Sequence, residues 1–390
     1  MHIVIVGGGF GGVKTALELS KDTSLSVTLI SDKDYFVYYP ALYSTATGGS
    51  YLESIVSLKK IFEGTRVKVI EDTITQYDPA RHIVAGKKSY HYDKVVFALG
   101  VVTSYFGISG LAAFSYSIKN YTDVMKFKAH LHDELVADRH MDKHYIIAGA
   151  GPTGVELSAA LAHYLDRIAA AHRIKHSRIS IKLVEASHRV LPKMSERASA
   201  VVTARLKKLG VQVMTNKKVE AQDNDGIMIS GTDVATKTVV WTSGVSNHPF
   251  FTTHSSHFAL ASNGKVEVNP HLMTNASTYV IGDNANTLYT GLAQTALHDA
   301  LYIAADIKNS FHKRARNLYR DIKPPIVVPV GKGWAVFEWH GIVITGKIAS
   351  AIRRASDFIG YDDVLPVGQA LGVWRATRTN DEECTICKKA

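Results

Sequence analysis

The stretch HIVIVGGGFGGVKTALEL, His2–Leu19, decides the fold. A short apolar strand, His2–Val6, runs directly into glycines, and a helical pattern of apolar residues (Val13, Ala16, Leu17) begins at once. Gly7, Gly9 and Gly12 stand in G-x-G-x-x-G spacing. In a strand–turn–helix context the first glycine permits the tight turn and the second lets a pyrophosphate approach the backbone. The third lets the helix pack on its strand, and the helix N-terminal N–H groups then face the phosphates. The pattern recurs downstream as HYIIAGAGPTGVELSAAL, His144–Leu161, with Gly149, Gly151 and Gly154 in the same spacing. A second strand follows each copy, Ser26–Ile30 and Ser180–Val184, and each copy closes on an apolar strand ending in glycine, at Gly100 and Gly244. From first to closing glycine the copies have nearly equal length.

Composition supports a large soluble protein. The 390 residues are 46% hydrophobic and 21% charged, which excludes global disorder and repetitive fibrous structure and leaves room for two or three domains. Only two cysteines occur, Cys384 and Cys387, so a disulfide-stapled secreted fold is excluded and a reducing setting is expected. The net charge of +10 suits anionic cofactors or an anionic membrane surface. Nucleic acid is not expected, because the basic residues are scattered apart from a cluster from Lys313 to Arg320, and no recognition motif accompanies them. The chain opens without a basic, apolar leader. The uncharged stretch Val95–Ile118 is too rich in glycine and hydroxyls for a membrane span, and reads as a buried strand and loop.

We therefore expect an α/β chain with two Rossmann-like dinucleotide-binding domains and a small C-terminal region. The first domain is discontinuous (1–115 and 263–325), the second is inserted (116–262), and the C-terminal region spans 326–390, beginning after Pro324-Pro325. In the first copy, Ser31 ends the second strand and Asp32 follows it. Either Asp32 reaches a ribose, with Ser31 as a weaker substitute, or Asp32 simply opens the turn Asp32-Lys33-Asp34. In the second copy Glu185 ends the strand, where a carboxylate accepts both ribose hydroxyls and repels a 2′-phosphate. This favours NADH over NADPH, with Arg189 nearby working against it. Two dinucleotide sites imply electron transfer between a tightly held flavin and a nicotinamide.

Further motifs narrow this. Tyr35–Gly48 (YFVYYPALYSTATG), Tyr92–Leu111, GAGPTGVE at Gly149–Glu156, VVWTSGV at Val239–Val245, YVIGD at Tyr279–Asp283 and AQTALH at Ala293–His298 stand in order along the chain. With them the sequence resembles the type II, non-proton-pumping NADH dehydrogenases, within the two-dinucleotide-domain flavoprotein superfamily, from Met1 to about Trp374. The resemblance implies an FAD-dependent NADH:quinone oxidoreductase of the respiratory chain, peripheral on the cytoplasmic face of the cell membrane. It implies that the first glycine turn holds the FAD pyrophosphate, that Thr47 and Gly48 lie by the flavin, and that Gly100 closes the flavin-domain strand. Asp283 would bind the ribityl or phosphate side of FAD, the alternative being a helix N-cap. Glu156 would sit near the nicotinamide, the alternative being stabilisation of a helix dipole.

The family's A-Q-x-A-x-Q faces the quinone. Here Ala293, Gln294 and Ala296 are present but His298 replaces the last glutamine. Gln294 and His298 are four apart and should project together. His298 either bonds a quinone carbonyl and delivers a proton, or packs within its helix. No cysteine lies near either glycine turn, which excludes the disulfide-reductase chemistries, and hydride transfer needs no acid–base pair. A soluble NADH oxidase, or an NADH-responsive flavoprotein acting through a partner, are the alternative functions.

In Lys347–Gly360 (KIASAIRRASDFIG), Ile348, Ala351, Ile352, Ala355, Phe358 and Ile359 fall on one helical side, and Lys347, Arg353 and Arg354 on the other side or its flank. Trp339, Tyr361 and Trp374 are candidate interfacial anchors. This region reads as a membrane-surface helix, a homodimer interface or a core-facing helix. Cys384-x-x-Cys387 is open between a shared metal site, a redox dithiol and a tail without a role; two thiols alone complete no zinc site.

Overall fold

The computed structural model describes residues 1–136, 144–174, 179–379, 381 and 386, so Cys384 and Cys387 lie outside the described residues. Among the described residues, two parallel sheets carry the duplication. The first runs Met273–Asn275, Thr278–Val280, Lys94–Phe97, His2–Val6, Ser26–Ser31, Lys68–Glu71, parallel except at the Met273–Asn275 edge. The second runs Val211–Met214, Ser180–Val184, His144–Ala148, Thr238–Trp241, parallel throughout. Each glycine-turn strand sits between its copy's second and closing strands. Registers correspond: His2 pairs with Ser26, and His144 with Ser180. Ile3, Val4 and Ile5 are all fully buried, as a parallel strand covered on both faces requires. The stretch 95–118 is the strand Lys94–Phe97 followed by short elements, and no described helix is long and apolar enough to cross a membrane.

The two units are joined by a two-stranded antiparallel ribbon, Val101–Thr103 against Val245–Asn247. After the long helix Ala293–Phe311 and an irregular strap, a three-stranded antiparallel sheet forms (Ile326–Pro329, Ala335–Trp339, Ile342–Gly346). The helices Lys347–Asp362 and Val367–Ala376 follow.

This C-terminal region is built into both units. Val328, Val330 and Val336 are buried in the apolar core that contains Val155, Val202 and Leu206 of the second unit. Tyr361, Val364, Leu365 and Ala370 are buried in the core of the first, with Phe36 and Tyr38. Glu338 accepts from the Ser195 N–H (3.0 Å) and hydroxyl (2.7 Å) at the N-cap of helix Glu196–Lys208.

Three details differ from the sequence reading. Tyr361 is no interfacial anchor: it is fully buried and its hydroxyl donates to the Glu53 carbonyl (2.6 Å). Trp374 is turned inward, its indole donating to the Arg354 carbonyl (2.8 Å) with the Arg354 guanidinium 4.9 Å from its ring centre. Arg353 does not decorate the surface but is buried. The outward stripe of helix Lys347–Asp362 is Ile348, Ala351, Ala355 and Ile359, while Arg353 and Asp357 turn inward beside Ala349 and Tyr361 and only the end charges Lys347 and Asp362 are exposed.

Candidate active site

The glycine turns are near copies in detail. Gly7 and Gly149 have φ of +119° and +113°, a conformation that glycine adopts freely. Their N–H groups close on the neighbouring strand, Gly7 on the Ile30 carbonyl (2.8 Å) and Gly149 on the Val184 carbonyl (2.7 Å). A Cβ on Gly12 would stand 1.9 Å from the Gly7 carbonyl oxygen, and one on Gly154 1.8 Å from that of Gly149. These are the third glycines, and the clash shows why helix and strand demand them. Gly9 and Gly151, the N-caps of the two helices, behave oppositely: a Cβ there meets nothing within 4 Å. Their bare backbone thus faces open space at a helix N-terminus, the cradle a pyrophosphate fits. The residues present therefore fit two dinucleotides.

Around the first turn, Ser31 is buried at its strand end, and a Cβ on Gly8 would come within 2.5 Å of its hydroxyl; Asp32 is exposed on the turn beyond. Thr47 caps the short helix Leu42–Ala46, its hydroxyl donating to the Tyr43 carbonyl (2.9 Å). Gly100, at φ +70°, is held from both sides by Asn284, whose Oδ1 accepts the Gly100 N–H (2.9 Å) and whose Nδ2 donates to the Gly100 carbonyl (2.6 Å). Asn284 also donates to Asn247 Oδ1 (2.7 Å), tying the closing strand, the interunit ribbon and the Gly282–Asn284 turn together. Lys265 anchors the same turn through the Asp283 carbonyl (2.6 Å) and Thr290 Oγ1 (3.0 Å). Burial pushes both Lys265 and Lys119 below the ordinary lysine range, with Asp283 pulling each of them back up. Asp283 thus brings a carboxylate to a place with two half-buried ammonium groups. Asn284, Lys265 and Lys119 escaped the sequence reading, because they lie outside the glycine and carboxylate patterns it relied on.

Glu156 lies one turn into helix Pro152–Ala171, and the structure turns it into the interior. Its Oε1 faces Arg353 Nη1 at 3.2 Å. Burial pushes its carboxyl up to about 7, against the opposing pull of Arg353. Arg353 spends its donors on several partners. Nε donates to Asp357 (3.0 Å), Nη2 to the Pro40 carbonyl (2.7 Å), and Nη1 to Glu156 and the Val327 carbonyl (3.5 Å). Burial opposes its charge, but Asp357 and Glu156 raise it well above the usual range and keep it protonated. Asp357 in turn accepts from the Tyr38 hydroxyl (3.1 Å). One guanidinium therefore joins the first unit, the second unit and the C-terminal helix. Close by, Glu53 is buried, with Oε1 lacking a hydrogen-bond partner, and burial pushes it up to about 8 against the opposing pull of Ser44 and Arg353.

Ala293 opens helix Ala293–Phe311, and Gln294 beside it is exposed. His298 is half-buried, its Nε2 2.9 Å from the Arg320 carbonyl and its ring 5.4 Å from Tyr319. A carbonyl only accepts, so Nε2 carries the proton and Nδ1 is the nitrogen left for other contacts.

In the second unit a cleft of about 420 Å³ opens over Gly149 and Gly151, lined also by Glu185, Lys217, Lys218 and Trp241. Glu185 accepts from the N–H groups of Ala150 (2.7 Å) and Ser187 (2.8 Å), and each oxygen keeps a further lone pair for a ribose hydroxyl. Arg189 donates to the Met194 (2.5 Å) and Pro192 (2.8 Å) carbonyls, which hold its guanidinium against its own loop. Gly244 admits the crossing chain, since a Cβ there would meet the Ser104 carbonyl at 2.2 Å.

The model of the pyridine nucleotide-disulphide oxidoreductase family matches residues 1–300, most of the chain and both glycine turns. The chain belongs to that family. Unlike the disulphide chemistry in the family's name, this pyridine nucleotide-disulphide oxidoreductase has cysteines only at 384 and 387. Among relatives, the type II NADH:quinone oxidoreductase Ndh of Mycobacterium tuberculosis is 29% identical over 340 residues, covering 79% of this chain and 72% of the relative. The type II NADH:quinone oxidoreductase of Staphylococcus haemolyticus is 23% identical over 392 residues, covering 94% and 97%. The fold matches that of NDH2 from Plasmodium falciparum in complex with NADH, with a TM-score of 0.86 at 18% identity, over 96% of this chain and 97% of the other. The resemblance read from the sequence motifs is borne out.

Proposed function

We propose that this chain is a non-proton-pumping NADH:quinone oxidoreductase, with FAD held by residues 1–115 and 263–325 and NADH by 116–262. The observation that carries the reading is the pair of glycine turns, each presenting an unobstructed second glycine at a helix N-terminus, in a chain whose two cysteines, Cys384 and Cys387, are far from both turns in sequence. When bound, the flavin supplies the redox chemistry, taking a hydride from NADH and giving two electrons to the acceptor. The residues bind and orient. Gly7, Gly9 and Gly12 receive one pyrophosphate, and Gly149, Gly151 and Gly154 the other. Glu185 takes the ribose hydroxyls of NADH, and Asp283 the ribityl or phosphate side of FAD. Asn284 fixes Gly100 and with it the floor between the units. Arg353 sets the distance between the units by gripping Pro40, Glu156 and Asp357 at once, which hydride transfer requires because it tolerates little misplacement. Gln294 and His298 Nδ1 border the acceptor.

Association with the membrane is peripheral and at its cytoplasmic face, and the apolar outward stripe Ile348, Ala351, Ala355 and Ile359 supports it. Because the C-terminal region is part of both cores, its test is substitution within that stripe rather than truncation. Steady-state oxidation of NADH with a quinone, with oxygen, or with no acceptor tests the function. A rate that does not depend on the quinone overturns it.

A further inference from the structure

Between the long helix Ala293–Phe311 and the strand Ile326–Pro329 the chain crosses the outer face of the helix as an irregular strap. The strap is fastened to the body at intervals. Arg316 pairs with buried Asp306, the Tyr319 hydroxyl donates to Asp299 (2.7 Å), the Tyr319 N–H donates to the Pro270 carbonyl (2.8 Å), and the Arg320 carbonyl holds His298. The Leu288 N–H donates to Asp321 (3.0 Å), which brings a neighbouring loop alongside. These fastenings pair one of the strap's five cations, Arg316, and hydrogen-bond its one acid, Asp321, which stays exposed and keeps its charge. The remaining cations, Lys313, Arg314, Arg320 and Lys323, are exposed, and among the described residues no side-chain ion pair involves them. Among them stand Leu318 and Ile322, 60% and 59% exposed, with Leu288, 72% exposed, beside them.

A fixed surface of large apolar side chains set among unpaired cations is unlike an ordinary solvated face, where single apolar residues scatter and charges of both signs mix. We propose that the strap 313–323, with Leu288, docks on an anionic lipid bilayer. Its cations meet headgroup phosphates and carboxylates, while Leu318, Ile322 and Leu288 enter the acyl boundary. The charge complementarity selects an anionic membrane. The position explains its use: the strap is bonded to His298, on the helix that carries Gln294, so docking brings the lipid phase to the place where a lipid-soluble acceptor must arrive. In this last respect the inference rests on the quinone reading; the docking itself does not. The surface is separate in sequence from the apolar stripe of helix Lys347–Asp362.

The test is vesicle co-sedimentation of the full-length holoprotein, on vesicles of phosphatidylcholine with phosphatidylglycerol and on vesicles of phosphatidylcholine alone. Two variants are compared with wild type: Lys313→Glu/Arg314→Glu/Lys323→Glu, and Leu318→Ser/Ile322→Ser. Each near-surface cation contributes about fivefold to partitioning, so reversing three should weaken binding to the anionic vesicles by at least about a hundredfold. The difference from wild type should shrink at high salt. The serine pair should weaken binding at all salt concentrations. Flavin content and NADH turnover with a water-soluble quinone should stay at wild-type levels in both variants, which shows that they fold and separates the outcome from the fate of the quinone reading. Wild-type sedimentation by the charge variant on anionic vesicles overturns the proposal. So does a loss of equal size on phosphatidylcholine alone, and so does a wild-type chain that binds no vesicle.

Discussion

Arg353→Met should loosen the junction between the two dinucleotide units. The side chain is 11% exposed and grips Glu156, Asp357, Pro40 and Val327, so methionine fills much of the space and removes every bond. Breaking a buried ion pair by deleting one partner costs about 3–5 kcal/mol, chiefly through the charge left behind. Glu156 escapes part of that cost, because burial already holds its carboxyl near 7 and it can stay protonated. The expected loss therefore lies at the lower end, about 3 kcal/mol. Glu156→Gln keeps the shape, leaves Arg353 paired with Asp357, and should cost only about 1 kcal/mol. In a double-mutant cycle the two changes should couple by about 1–2 kcal/mol. The assay is denaturant unfolding at pH 7, followed by tryptophan emission and by flavin release in parallel, since two such units need not unfold as one body. Hydride transfer should slow in Arg353→Met with flavin still bound. A single-variant loss below about 1 kcal/mol, or no coupling within about 0.3 kcal/mol, would refute the reasoning that this guanidinium holds the units in register.

Glu53 gives a pH dependence of known sign. Its folded pKa is raised to about 8, so its contribution to stability is complete below the ordinary carboxylate range and is lost as pH rises through about 8. Glu53→Gln should match wild type near pH 4 and exceed it by on the order of 5 kcal/mol at pH 9, as thermal or denaturant melts will show. Glu185→Gln should narrow the ratio of kcat/KM for NADH over NADPH by removing the repulsion of the 2′-phosphate, and equal ratios in wild type and variant would assign Glu185 to holding its turn alone. His298→Ala should slow the oxidative half-reaction about 5- to 30-fold, the loss of one hydrogen bond, and the reductive half-reaction less; rapid-mixing measurements of each half separate them. Gly154→Ala should abolish NADH binding with FAD retained, read by titration, since its Cβ would stand 1.8 Å from the Gly149 carbonyl oxygen.

The duplication was legible because its signals are local. Glycine spacing, strand and helix onset sit within eighteen consecutive residues of each copy, and the structure repeats them down to the same clash at Gly12 and Gly154. Partners distant in sequence were not legible. Glu156 was found by its place on the helix, but its partner lies 197 residues away, so the sequence could not show that it points inward. A signal for Arg353 did exist: Ala349, Arg353, Asp357 and Tyr361 recur every fourth residue, a ridge that the structure turns inward. The apolar pattern put Arg353 on the opposite side of the helix or its flank and left open whether the apolar side meets membrane, a partner copy or the core; the structure turns the Arg353 side inward. The helix turns this way because its inward contacts are polar ties across three parts of the chain, while its apolar stripe meets none of them. Likewise the replacement of glutamine by His298 was visible, but its bond to the Arg320 carbonyl depends on the strap folding back across the helix.

The central claim is that electrons pass from NADH through a bound flavin to a quinone. It is tested most directly by steady-state NADH oxidation by the purified full-length protein, with a short-chain quinone, with oxygen alone, and with no acceptor. The account predicts yellow protein that releases FAD on denaturation, and saturable quinone-dependent turnover at least about tenfold above the oxygen rate, a barrier difference of about 1.4 kcal/mol. Turnover indifferent to the quinone, or a colourless protein that FAD does not restore, would contradict it.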